Sequence, residues 1–239
     1  MAALASMDLP KAARALALLL KNPDDLPQVF VIVDALSRPS LERLHRRMRR
    51  SMLGRALLEQ RPQLTATLAD HAALARLPEG SLGRAYLEFL EREGISAEGI
   101  VQASTEAGFL DRAETEVDFV GERLRDTHDL WHAVTGYHGD LIGELCLLTF
   151  TFAQTNNPAL LFIVLGGMSK GFLRGHYDMV KHAYLRGRRA VWMVDVDWEP
   201  LLALPLDEVR ARLGLDAPPR YEPRRTDMLR AEGKLAAAA

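Results

Sequence analysis

The chain has 239 residues, 26% of them charged and 48% hydrophobic, with a formal net charge of −2. This balance belongs to an ordinary folded protein and argues against wholesale disorder, and without a basic excess it gives no reason to expect nucleic acid as a partner. The single cysteine, Cys146, allows neither an internal disulfide nor a cysteine-paired zinc knuckle, which suits a reducing compartment.

A chain of this length can bury its core as one domain. The residues before Pro10 lack the charged start, apolar core and cleavage site of a secretory signal, and they lack the arginine-rich presequence of mitochondrial import. The expectation is a bacterial cytoplasmic protein or an already mature organellar one.

Taken in order, residues 10–21 and 26–36 read as two short apolar helices separated by Asn22-Pro23-Asp24-Asp25. Pro39 then predicts a break, followed by a helix over residues 40–60 that carries Arg43, His45, Arg46, Arg47, Arg49, Arg50 and Arg55. Its apolar positions Leu41, Leu44, Met48, Met52 and Leu57 keep helical spacing, so it reads as basic and amphipathic. Such a helix either lies on an anionic membrane surface or is a solvated face paired with acidic neighbours.

Arg61-Pro62 predicts another helix, to about residue 77. A further one follows over residues 81–93, with Ser81 as its N-cap, Gly94 as its stop and Tyr86, Phe89 and Leu90 as core. Residues 95–115 read as a loop with short turns. The apolar run of residues 145–167 is long enough to raise a membrane span, but Gln154, Thr155, Asn156, Asn157 and Pro158 interrupt it. Two core helices joined at Asn157-Pro158 are expected instead.

Beyond Pro158 the helix is predicted to break or kink near Gly166-Gly167, glycines that also permit close approach of another group. His176 and His182 lack ligand spacing and read as structural. Residues 191–198 alternate apolar and acidic and read as extended. Residues 206–213 form a last helix stopped by Gly214, and the tail over residues 220–239 is expected to be mobile. The fold class is all-α, a single domain over residues 1–219.

The chemistry concentrates between His128 and Glu144. On a helix, His128 and His132 share one face, with Asp129 about 100° round from His128. A borderline metal such as zinc takes a few nitrogen and oxygen ligands at about 2 Å, and two histidines one turn apart supply half a shell. Gly136, Gly139 and Gly143 permit a tight reversal, and Asp140 is suited to N-cap a second helix that carries Glu144 in its first turn. Glu144 would then return over the histidines and leave a position open for water or substrate. Histidines four apart also occur by chance, and from spacing alone His128 and Asp129 serve equally to bond their own helix. His138, in the glycine-rich turn, reads as a surface residue.

The pattern His-Asp-x-x-His, eleven residues, then Glu resembles the signature of the ubiquinone biosynthesis proteins of the coenzyme Q protein 4 family. Upstream, Gly80-Ser81-Leu82-Gly83, Tyr86 and Phe89-Leu90 resemble that family's G-(S/T)-L-G-x-x-Y-x-x-F-(L/M) segment. Downstream, Phe150, Gln154, Thr155 and Pro158 resemble its F-x-x-x-Q-T-x-x-P stretch, and residues 187–214, with Trp198-Glu199, resemble its C-terminal region. The likeness is clearest over residues 62–219. Two departures stand out: Thr151 replaces the Glu that usually follows the phenylalanine, and Asn156-Asn157 replace a Gly-Leu-like pair.

The resemblance implies a divalent metal ion, zinc or a redox metal such as iron, held by His128, His132 and Glu144, with Asp129 completing the shell or moving a proton. It implies decarboxylation, plain or oxidative, of a 4-hydroxy-polyprenylbenzoate, with these four residues as the catalytic set. The alternative is a lipid-binding scaffold for other ubiquinone-biosynthesis proteins. Implied partners are a polyprenylated benzoate or quinone lipid, those pathway proteins and a peripheral membrane contact, and a homo-oligomer is compatible. The implied place is the inner face of a bacterial membrane, or the matrix side of the mitochondrial inner membrane. Zinc proteases carry Glu where this chain has Asp129, His71 lies too far upstream for a His-Asp phosphohydrolase, and the two Glu-x-x-His motifs that a di-iron site needs are not both present.

Overall fold

The computed structural model describes residues 7–95 and 114–231, together with positions 102, 105, 106 and 233. Among these, thirteen α-helices and two 3₁₀ turns form the framework, with no strand and one isolated bridge between Ser81 and Pro205. The expected all-α class holds. The loop expected over residues 95–115 falls largely outside the described residues.

Helix α1 (Leu9–Leu19) pairs with α2 (Leu26–Met48). Helix α2 runs through Pro39, where the proline ring predicted a break. Proline has no N–H to give to the carbonyl of Ala35 four residues earlier. That carbonyl instead accepts the backbone N–H of Asp8 (2.9 Å), so the first residues of the fold repair the defect.

The predicted helix over 40–60 is divided. Helix α2 ends at Met48, and Ser51 caps a new helix α3 (Met52–Gln60) by accepting from the N–H of Gly54 (2.8 Å). The interruption resets the helical phase, which leaves Met52 77% exposed although periodicity placed it inside. Much of the basic face is engaged within the molecule. Arg38 meets Asp118 (2.9 Å), His45 and Arg49 meet Glu116 (2.6 and 3.6 Å), Arg43 donates to the carbonyl of Asn156 (2.9 Å), and Arg47 lies over Trp192. Acidic neighbours thus take His45 and Arg49, and Arg46 at longer range (4.0 Å from Glu42), while Arg43 and Arg47 engage a carbonyl and a ring.

The helix expected from Arg61 to about residue 77 is two short ones, α4 (Leu64–Ala69) and α5 (His71–Ala75). Asp70 ends the first and caps the second by accepting from the N–H of Ala73 (2.9 Å). Helix α6 (Leu82–Glu93) follows expectation, with Ser81 accepting from Arg84 N–H and Gly94 in the left-handed conformation. Helices α7 (Glu116–Asp126) and α8 (His128–Thr135) are nearly continuous through Thr127, whose hydroxyl donates back to the carbonyl of Arg123 (2.9 Å).

Two core helices do meet at Asn157-Pro158: α9 (Leu141–Thr155) and α10 (Pro158–Ser169). Asn156 takes the left-handed conformation (φ 49°) that glycine would otherwise supply. Asn157 caps α10 and exchanges hydrogen bonds with Ser37 of α2 (2.8 and 3.0 Å), so the departure from the family pattern works as a buried strut. Among the described residues, no helix is long and apolar enough to cross a membrane.

Helix α10 runs through Gly166-Gly167 and breaks just after them, ending at Ser169, and these glycines also answer a packing need: a Cβ there would stand 2.8 Å from Leu16 and Leu145 respectively. The chain turns only afterwards and resumes as α11 (Tyr177–Arg189). Residues 191–198, expected to be extended, contain instead a 3₁₀ turn (Met193–Asp195). The buried amide of Gln154 holds this stretch, donating to the carbonyls of Gly187 and Val191 and accepting from Met193 N–H.

Helix α12 (Leu206–Leu213) stops at Gly214 as expected. The segment from Arg220, expected to be mobile, carries α13 (Thr226–Ala231) and makes specific contacts. Arg230 pairs with Asp24 (2.7 Å), and Thr226 donates to the same carboxylate (2.8 Å). One buried cluster, including Trp131, Phe150, Leu147 and Trp198, runs from α1 to Leu215.

Candidate metal centre

Helix α8 packs against α6 and α12 and is buried along most of its length. Its two turns bring His128 and His132 onto one face, Nε2 to Nε2 at 3.3 Å, with the rings edge to face. Gly136 ends the helix in the left-handed conformation (φ 78°), where Pro218 packs so close that a side chain would collide with it. The chain then reverses over four residues to Asp140.

Asp140 is 2% exposed and caps α9 by accepting from the N–H groups of Ile142 and Gly143 (3.1 and 3.3 Å). Gly143 is required here, since a Cβ would strike the carbonyl of His138 and the hydroxyl of Tyr221. Glu144 follows in the first turn of α9. Its carboxylate reaches back over the histidines, Oε1 at 3.1 Å from His132 Nε2 and Oε2 at 3.4 Å from His128 Nε2. The helix-turn-helix expected from the spacing therefore closes as anticipated.

The donor set fits a metal ion. The three ligand atoms lie within 4.8 Å of one another. Bonds of about 2.0–2.2 Å place neighbouring ligands of a tetrahedral ion about 3.3–3.5 Å apart. The two histidine nitrogens, 3.3 Å apart, stand at such an edge, and Glu144 faces each of them with a different oxygen, Oε1 at 3.1 Å from His132 and Oε2 at 3.4 Å from His128. His132 is also turned the right way. Its Nδ1 lies 3.0 Å from the carbonyl of Tyr137, which can only accept, so Nδ1 carries a hydrogen and Nε2 is the nitrogen left to face a metal.

The site is walled on one side and open on the other. The His132 side chain is fully enclosed and stacks on Phe89 (centroids 5.0 Å, planes 14° apart), whereas His128 and Glu144 keep 24% and 39% of their side-chain surface. Burial alone would raise the Glu144 carboxyl, but the two imidazoles hold it well below the usual carboxylate range. Burial works to lower His128, and the hydrogen bond and charge of Glu144 outweigh it and raise the imidazole.

Asp129 occupies the first turn of α8, buried, and lies outside the three-residue group that converges. Burial raises its carboxyl, opposed by the two imidazoles. His138 is half-buried beside Glu93 (3.8 Å) and Tyr221 and takes no part in the cluster. His182 is exposed and His176 half-buried, neither near ligand geometry.

Four contributors escape sequence reading. Phe89 reads as core and is core, yet it also forms the wall behind His132. Tyr137 acts through its carbonyl, which no residue type encodes. Arg186 and Arg210 reach the end of α8 from fifty or more residues downstream.

Comparison with known proteins bears on the family and the fold. The family described as "Coenzyme Q (ubiquinone) biosynthesis protein Coq4" matches residues 7–219. The match begins well before residue 62, so the N-terminal helices lie within it. Among curated relatives, the human "Ubiquinone biosynthesis protein COQ4 homolog, mitochondrial" is 32% identical over 216 residues, covering 88% of this chain and 78% of the relative. A Talaromyces stipitatus relative, "Ubiquinone biosynthesis protein coq4, mitochondrial", is 32% identical over 207 residues, covering 84% and 69%. A crystal structure from Nostoc punctiforme, solved as a candidate ubiquinone biosynthesis protein, superposes with a TM-score of 0.63 at 20% identity, covering 88% of this chain and all of the other. That last likeness concerns the fold.

Proposed function

Since the chain belongs to the Coq4 family of coenzyme Q (ubiquinone) biosynthesis proteins, we propose that it acts in that pathway as a metal-dependent decarboxylase, removing the ring carboxylate of a 4-hydroxy-polyprenylbenzoate. The observation that carries this reading is the convergence of His128, His132 and Glu144 at metal-ligand spacing with one side open.

Bound there, a divalent ion would act as a Lewis acid toward substrate oxygens and offset the charge that develops as carbon dioxide leaves. The protein's own groups supply the rest. His132, oriented by Tyr137, and His128 would offer the nitrogen ligands, and Glu144 brings one negative charge. Cleavage of the ring-to-carboxyl bond leaves its electron pair on the ring carbon, and a proton must arrive there. Asp129, whose burial favours the protonated carboxyl, is the residue assigned to that delivery. The oxidative variant would add a hydroxyl at the same carbon and needs an external oxidant with a redox-active metal. Zinc suits only the plain reaction.

The polyprenyl tail asks for an apolar surface. A groove of about 240 Å³ between α9, α10 and α11 offers one, lined by Phe152, Leu161, Leu165, Met168 and Tyr184 among others. The same groove favours the second reading, a lipid-binding scaffold for other ubiquinone-biosynthesis proteins at a membrane surface, bacterial or mitochondrial.

Metabolite profiling separates the two. Cells lacking the protein are compared after restoring either the wild type or His128→Ala. A prenylated ring that keeps its carboxylate, accumulating despite the variant, supports the enzyme. Full rescue by His128→Ala would support the scaffold, and an unaltered quinone profile in the deleted strain would reject both. Metal analysis of His128→Ala, His132→Ala and Glu144→Ala proteins should show loss of the ion with helix content kept.

A further inference from the structure

A helix of eight residues has little intrinsic stability, and its last four carbonyls lack partners inside the helix. In α8 all four are taken. His132 O accepts from Gly136 N–H (2.8 Å). Val134 O and Ala133 O accept from one guanidinium, Arg210 Nε (2.9 Å) and Nη2 (3.4 Å). Thr135 O accepts from Arg186 Nη1 (3.2 Å). The cations sit at the end of the helix where its dipole is negative.

Arg186 is unusual in its surroundings. It is 2% exposed, and no carboxylate among the described residues lies within ion-pair distance. Its remaining contacts are the carbonyl of Asp216 (3.0 Å) and the face of Tyr137, 5.3 Å from the ring centroid. A buried cation without an anion is expensive unless carbonyl dipoles replace water around it. Here one of those dipoles, Thr135 O, belongs to the C-terminus of the ligand helix, and the other is Asp216 O. The ring it covers belongs to the residue whose carbonyl holds His132 Nδ1.

We infer that Arg186 and Arg210 are positioning residues for the metal ligands: the two guanidinium groups clamp the end of α8 and fix Tyr137, and so aim His132 Nε2 at His128 and Glu144. Neither arginine touches the ligand atoms. They act through the backbone of residues 133–137. The proposal rests on the metal reading of the site for its purpose, while its geometric content concerns His132 alone.

Two readouts on the full-length protein test it. The first, on metal-free protein, is nitrogen NMR of the histidine rings, which reports whether His132 carries its hydrogen on Nδ1. The second is zinc affinity by competition with a chromophoric chelator. Arg186→Met and Arg210→Ala should each lose the fixed Nδ1–H signature and weaken zinc binding tenfold or more, the range known for groups that orient metal-bound histidines. Arg186→Lys should recover part of both.

A remote core variant, Leu36→Ala, should lower stability and leave both readouts at wild-type values. Folded Arg186→Met or Arg210→Ala protein with unchanged zinc affinity and an unchanged His132 signature would overturn the inference. If Arg186→Met does not fold, Arg210→Ala decides alone, since its side chain is partly solvated. If the wild type binds no zinc, the metal reading fails, and the His132 signature alone decides whether the clamp positions this ring.

Discussion

Tyr221 donates its hydroxyl hydrogen to Asp140 (2.7 Å) and accepts the backbone N–H of His138 (3.0 Å), so a residue beyond the family-matched region fastens the turn that aims Glu144. The N–H of Arg224 adds a further bond to Asp140 (2.8 Å), and Arg224 O takes the N–H of Leu141 (3.2 Å). The cap of α9 is thus shared between its own first turn and a strap from the C-terminal segment.

Replacing Tyr221 by Phe should test that strap. The change leaves Asp140 and the His138 N–H each short of a partner in a largely buried setting, at a loss of about 1–3 kcal/mol. Chemical denaturation should show the lower midpoint. Zinc affinity should fall with it, because the freed turn carries Glu144. An unchanged midpoint would mean that water replaces the hydroxyl without loss.

The pH dependence of the metal-free protein follows from the Glu144–histidine pairing. Burial pulls His128 down and Glu144 pulls it up by more, so His128 should titrate above its ordinary 6.5. In Glu144→Gln burial is opposed only by the charge of Asp129, and NMR should find the same imidazole titrating lower than in the wild type. For stability, a raised histidine contributes fully below 6.5 and loses its contribution as pH rises through the folded value. A depressed carboxylate contributes above its ordinary 4.5 and loses it as pH falls. The cluster should therefore stabilise the metal-free wild type most between those two values. Urea midpoints of Glu144→Gln should lack that feature.

Arg123 and Glu199 make a second, structural test. Arg123 is 4% exposed, bonds both oxygens of Glu199 (3.4 and 3.2 Å) and reaches the carbonyl of Val196 (3.2 Å). Removing the arginine by Arg123→Ala strands a half-buried carboxylate, for an expected loss of about 3 kcal/mol. The double variant with Glu199→Gln should recover part of it. Thermal melts of both proteins, measured at one pH, would show whether the pair acts as a unit.

Cys146 lies in the core one turn before Phe150, with no exposed surface. Burial, with the Asp140 charge adding to it, pushes its thiol up to about 12. Iodoacetamide at pH 8 should leave the folded protein unmodified and label it fully in urea, as mass spectrometry would report. Rapid labelling of native protein would show that α9 opens far more readily than its packing implies.

Much of the site is legible in the chain itself, because its parts are local. His128 and His132 share a face through the helical repeat alone, Gly136 and Asp140 announce a stop and a start, and Glu144 lies within reach once the turn is short. The same locality explains why the caps at Ser81 and Gly94, the junction at Asn157-Pro158 and the stop at Gly214 can be placed from residue type. What failed was where a distant partner changed a local preference. Pro39 stays helical because Asp8, thirty-one positions away in sequence, takes the carbonyl that proline abandons, and Gly166-Gly167 lie within α10 where Leu16 and Leu145 leave no room for a side chain. Residues 191–198 fold into turns because Gln154 supplies the hydrogen bonds that a strand partner would have given. Which tautomer His132 holds, what closes the end of α8 and what anchors Asp140 are decided by Tyr137, Arg186, Arg210 and Tyr221. These contacts depend on backbone atoms and long-range packing, which exist only once the helices have assembled.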